Sequence, residues 1–138
     1  MHNEGARPVL LVQAGYYLAT GLLPFVSRRA FEAVTGPKRE WWLVQTVGAL
    51  VTVIGGALAS AATRRRITPE VLAVAAGSAA ALATIDAVHV ARRRISPAYL
   101  LDAAAEFGLL IALARASRRP GAEPPPTSAG VQPWTDPA

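Results

Sequence analysis

VGALVTVIGGALASAA, residues 47–62, carries no ionisable side chain on any face. A soluble helix of this length shows a polar stripe at the 3.6-residue period, because one of its faces must meet water. This segment has no such stripe, and lipid is the solvent that suits it. Working outward, comparable apolar runs occupy about 8–26, 41–63, 69–91 and 97–114. Each is near the roughly 20 residues that a helix needs to cross about 30 Å of hydrocarbon. The expected fold is all-α: a bundle of four transmembrane helices over residues 1–118, multi-pass in the bacterial cytoplasmic membrane. The remainder, 119–138, is rich in Pro, Gly and small polar residues (PGAEPPPTSAGVQPWTDPA). It has too few apolar side chains to build a core, so disorder is expected there.

Composition agrees with one membrane domain. The 138 residues are 52% hydrophobic and 17% charged, with the charges gathered in short clusters between the apolar runs. The net charge of +5 does not indicate nucleic acid, because the cations fall at helix ends, where they anchor a membrane protein. The absence of cysteine excludes disulfides, thiolate catalysis and thiolate metal sites. The first run is longer than the apolar segment of a signal peptide and contains Gln13, Tyr16, Tyr17 and Pro24. It reads as helix one.

The connections carry their own signals. SRRAFEAVTGPKREWW, residues 27–42, predicts a short interfacial helix between helices one and two. Phe31 and Val34 would lie toward lipid and Arg28, Arg29 and Glu32 toward water, until Gly36-Pro37 ends the helix. Trp41 and Trp42 mark the aromatic belt at the start of helix two. The hexads Arg64-Arg65-Arg66-Ile67-Thr68-Pro69 and Arg92-Arg93-Arg94-Ile95-Ser96-Pro97 each stop one helix and start the next, with Thr or Ser as cap and Pro at the first position. Gly48, Thr52, Gly56 and Ser60 recur every four residues. They predict a groove of small side chains, filled within the chain or by a second copy in a homodimer.

Orientation is balanced. If four helices cross, Arg7, Arg64, Arg65, Arg66, Arg115, Arg118 and Arg119 share one side. Arg28, Arg29, Lys38, Arg39, Arg92, Arg93 and Arg94 share the other, seven against seven. The positive-inside rule therefore chooses no direction, which leaves both dual topology and a fixed orientation set by other signals.

The candidate site lies in ATIDAVHVARRRISPAYLLDAAAEFGLLIALA, residues 83–114, apolar enough for the bilayer yet holding Asp86, His89, Asp102 and Glu106. At about 1.5 Å per residue from the connection at 92–96, Asp86 and Asp102 lie about 8–10 Å deep and Glu106 about 14 Å, all reached from one side. The spacings Asp86/His89 and Asp102/Glu106 put each pair on one helical face. A central Asp is disfavoured by about 2.5–3.5 kcal/mol, whereas each Leu, Ile or Phe returns only about 0.3–0.6. The acids must therefore face inward, be protonated or be paired. Gln45, Thr20 and Tyr17 offer partners at matching depth, and Arg93 stands four residues beyond His89, poised to reach back and close the cluster.

Such a cluster serves proton handling or solute binding, or it merely pins helices together. Asp86-x-x-His89 imitates one arm of a two-metal bundle, which needs two Glu-x-x-His arms and two more Glu residues, so half the set is missing. His89 is the one histidine near the membrane, His2 lying at the N-terminus, and two-histidine haem ligation is excluded for a monomer. No phosphate loop, Ser-His-Asp arrangement or nucleotide motif occurs, and no cofactor is expected.

The run YYLATGLLPFVSRRAFEAVTGPKREWWLVQTVGALVTVIGGAL, residues 16–58, followed by ARRRISPAYLLDAAAE, residues 91–106, resembles a group of small bacterial four-helix membrane proteins, loosely DoxX-like. The resemblance implies the topology and brings no assigned chemistry. The leading expectation is a non-enzymatic membrane protein that binds or moves a small solute or proton at Asp86, Asp102 and Glu106. The alternatives are an acid–base enzyme acting on a lipid-soluble substrate, with His89 as proton partner, and a scaffold subunit docking through the small-residue groove.

Overall fold

Every regular element in the computed structural model, which describes residues 3–118, is a helix. A single turn, Glu4–Ala6, leads into α1 (Arg7–Val26), followed by α2 (Arg28–Thr35), α3 (Trp41–Thr63), α4 (Pro69–Ala91) and α5 (Tyr99–Arg118). The Pro-rich tail lies outside the described residues. Three stretches, Glu4–Val26, Trp41–Thr63 and Pro69–Ala91, are long and apolar enough to cross a membrane, as in an integral membrane protein. α5 is not among them, because any 18 consecutive residues of it include Asp102, Glu106 and Arg115. Its polarity is nevertheless one-sided: Leu101 and Phe107 are 75% and 61% exposed, whereas Glu106 is 1% exposed.

The helix boundaries follow local chemistry. Pro8 occupies the first turn of α1, where its missing N–H breaks no bond. Extended Ser27 ends α1 and starts α2, its Oγ accepting from the Ala30 N–H at 3.1 Å. Gly36, at φ 83°, ends α2 in a backbone region that side chains disfavour. The two arginine hexads share one device: Arg65 and Arg93 both take left-handed φ values, 54° and 55°. The next residues, Arg66 and Arg94, donate back to the Ala61 and His89 carbonyls at 2.9 Å, which is the Schellman stop usually built on glycine. The hexads differ in how they restart. Thr68 Oγ1 accepts from the Val71 N–H three residues on, as a helix cap does, whereas Ser96 Oγ accepts from the Ala98 N–H in a tighter local turn. The fourth long helix, expected over 97–114, consequently begins at Tyr99. It runs on to Arg118, and Arg115 and Arg118 in its last turn are themselves good helix formers.

α1 packs along most of α3, and α4 along α5. At Gly48 and Gly21 the α1 and α3 backbones approach so closely that a Cβ on Gly48 would stand 2.7 Å from the Gly21 carbonyl oxygen. The two pairs meet at one end, around buried Leu10, Ala14, Leu58, Ala62, Ala75 and Leu113. Arg7 Nε donates there to the Ala62 carbonyl at 3.0 Å. The expected four-residue stripe divides: Gly48 and Thr52 face α1, but Gly56 meets nothing within 4 Å and Ser60 is exposed. Steps of four residues drift by about 40° around a helix, so the line leaves the contact face. Gly55, Leu58 and Ala62 continue that face instead.

Candidate functional site

Away from the closed end, the α1–α3 and α4–α5 pairs leave a cavity of about 800 Å³ between them. Leu23, Pro24, Leu43, Val44, Val47 and Val51 line it from α1 and α3, and Leu82, Ile85 and Leu101 from α4 and α5. α3 and α4 scarcely touch, and among the described residues no hydrogen bond joins them. On the α1–α5 side, by contrast, two tyrosines bridge the helices.

Those tyrosines hold the floor. Tyr17, fully buried, donates from its hydroxyl to Glu106 Oε2 at 2.9 Å and lies 3.3 Å from Ser78 Oγ. Tyr16 donates to Asp102 Oδ1. Asp86, on α4, lines the same floor as Asp102 and Glu106. It is 6% exposed, and its Oδ2 has no hydrogen-bond partner. One layer deeper, Gln13 Nε2 donates to the Ala75 carbonyl at 2.8 Å while its Oε1 is unpartnered. Beyond Gln13 the apolar cluster of the closed end seals the bundle, so the polar column is open to the cavity and blind behind.

The mouth is built from α2 and the 36–40 loop. Glu32 Oε1 accepts from Arg28 Nε and from the Lys38 N–H, each at 3.1 Å, and folds the loop back onto α2. The Lys38 amide, then Arg28, hold the Glu32 carboxyl below the usual carboxylate range. Lys38 Nζ donates to the Thr35 carbonyl at 2.8 Å and stands 5.0 Å over the Tyr99 ring, tying the loop to α5. Burial pushes the Lys38 ammonium down, partly offset by Glu32. Arg28 lies 4.7 Å over the Trp41 ring, and Phe31 meets the same ring edge-on.

Of the residues singled out in the sequence, Asp86, Asp102, Glu106 and Tyr17 come together. Three do not. Arg93 does not close the cluster: the left-handed turn carries it out of the helix, it is exposed, and the one ion pair among the described residues is Arg28–Glu32. Gln45 is half-buried and outside the cavity lining, because α3 turns Leu43, Val44 and Val47 toward the cavity and leaves Gln45 to one side. His89 lies on the cavity wall, but its Nδ1 is 2.8 Å from the Ile85 carbonyl of its own helix and no acid bonds it. Tyr16, Gln13 and Ser78 belong to the polar column as well, beyond the site residues expected from the sequence. Gln13, Tyr16, Tyr17 and Thr20 recur at three- and four-residue steps within the otherwise apolar helix one, and that spacing was the available signal.

Three comparisons, with protein-family models, curated proteins and solved structures, gave no match to this chain.

Proposed function

We propose that the chain is a four-span integral membrane protein that binds a small solute in the cavity between its helix pairs, with the acidic floor as polar contact. α5 crosses as the fourth span, its acids turned inward and its apolar side chains toward lipid. The likeness to DoxX-like proteins belongs to the same proposal. One observation carries the reading: Asp86, buried and with one oxygen unpartnered, lines a cavity whose middle is walled by Leu23, Val47, Val51, Leu82 and Ile85. A buried carboxyl left unsatisfied is unfavourable by about 1–3 kcal/mol, more when charged, and a ligand donor would recover that. The blind end favours binding, or one state of a carrier, over an open channel.

The test is a thermal-shift screen of small polar and amphiphilic solutes against the purified protein and Val51→Trp, which fills the cavity. A solute at about 100 times its Kd stabilises the wild-type protein by about 2.7 kcal/mol and leaves Val51→Trp unmoved. Solutes that shift both proteins alike, or neither, refute the reading.

The lack of any hydrogen bond between α3 and α4 among the described residues, beside a cavity that both line, supports a second reading, an acid–base enzyme for a lipid-soluble substrate, with Asp102 as acid or base. It requires turnover that Asp102→Asn removes without loss of fold.

A further inference from the structure

We infer that the ligand of this cavity is a lipophilic organic cation, a protonated amine on an apolar body, that reaches the floor from the bilayer between α3 and α4. This rests on the binding reading above and names its ligand class. The first support is charge. Three carboxyls, Asp86, Asp102 and Glu106, line the floor, and the groups that donate to them are the neutral hydroxyls of Tyr16 and Tyr17. Among the described residues no cationic side chain pairs with any of the three, and the cations that line the cavity, Lys38 and Arg39, belong to the mouth loop. A buried acidic set with neutral donors alone lacks a counter-charge, and carboxylates in a low-dielectric site are tolerated when paired.

The second support is Asp86. It is nine-tenths buried, lines the cavity and keeps one oxygen without a partner. An ammonium group brings up to three N–H donors and a positive charge, which answers both deficits at once. An inorganic cation fits less well, since among the described residues no three metal-ligating side chains converge closely enough to hold one. The walls decide the body of the ligand: between the floor and the polar mouth at Lys38, Arg39 and Glu40 they are mostly aliphatic, and a cavity of about 800 Å³ admits a drug-sized apolar skeleton. The route follows from the hydrogen bonds. Tyr16 and Tyr17 tie α1 to α5, whereas among the described residues no hydrogen bond ties α3 to α4, which present Val47, Val51, Leu82 and Ile85 to the cavity.

The experiment is equilibrium dialysis of the full chain in phosphatidylcholine nanodiscs, against empty discs. The probes are naphthylmethylamine, naphthylmethanol and naphthoate, which share one ring system and differ in head group. The amine should bind at least about 30-fold more tightly than the alcohol, the factor expected for a buried charge pair, and naphthoate more weakly than either. In Asp86→Asn, and separately in Asp102→Asn in case one variant fails to fold, the amine-to-alcohol ratio should fall toward one. If alcohol and amine bind alike to the wild-type protein, the cation is refuted while the cavity reading stands. If none of the three binds differently to wild type and Val51→Trp, both are refuted.

Discussion

Replacing Gly48 by alanine tests the close approach on which the α1–α3 pair is built. The added Cβ would stand 2.7 Å from the Gly21 carbonyl oxygen and 3.4 Å from Phe25 and Pro24 side-chain carbons. Ordinary contact begins at 3.4 Å, so the α1 backbone must retreat by about 0.7 Å at this crossing. The obstacle is a carbonyl within a helix, so no side-chain rotation relieves it. Forced overpacking of this kind is unfavourable by about 1–3 kcal/mol. Gly56, two turns along the same helix, meets nothing within 4 Å, so Gly56→Ala adds a methyl to open space. It should be neutral or gain up to about 1 kcal/mol from helix propensity. Thermal unfolding in mild detergent should show Gly48→Ala lowered by on the order of 5 °C and Gly56→Ala unchanged or slightly raised. Equal losses in both variants, or a loss confined to Gly56→Ala, would refute this packing and restore the four-residue stripe.

Tyr17→Phe removes the hydroxyl that donates to buried Glu106 and should lower stability by about 1–3 kcal/mol, read by the same unfolding assay. Double-mutant analysis with Glu106→Gln should show the two losses to be non-additive. Glu32→Gln should speed hydrogen exchange of the Lys38 amide, which donates to the Glu32 carboxylate. The folded Glu32 value lies below the unfolded one. The wild-type protection is therefore present above the ordinary carboxylate value of about 4.3 and fades as pH falls through the folded value. Arg65→Gly relieves a left-handed residue at a helix stop and should raise stability by about 0.4–1 kcal/mol, measurable as a raised unfolding midpoint.

The helices were legible because solvent dictates them. Residues 47–62 leave no face for water, and Pro8, Gly36 and the hexads punctuate the chain by local chemistry that needs no tertiary partner. The meeting of Asp86, Asp102 and Glu106 was legible too, since depth and spacing put them on facing helices reached from one side. What the sequence concealed depends on rotation about helix axes and on backbone reversals. Arg93 has the reach to meet Asp86 only if the helix continues, and its left-handed turn ends the helix first. Gln45 has the right depth but sits beside the face that α3 gives to the cavity. The small-residue stripe has the right residues and the wrong period over three steps. Tyr16 carries one signal, its three- and four-residue spacing from Gln13 and Thr20, but spacing alone does not say that its hydroxyl holds Asp102.

The claim on which the site depends is that α5 crosses the membrane with its acids inside. The chain lacks cysteine, so single cysteines can be placed cleanly at Arg93 and at Arg118 and labelled in intact cells with a membrane-impermeant maleimide. In each molecule the two positions flank α5, and the account predicts that they react from opposite sides. Whichever way the protein inserts, labelling of both positions from the same side, with complete protection from the other, would mean that α5 does not cross and that Asp102 and Glu106 lie outside the bilayer.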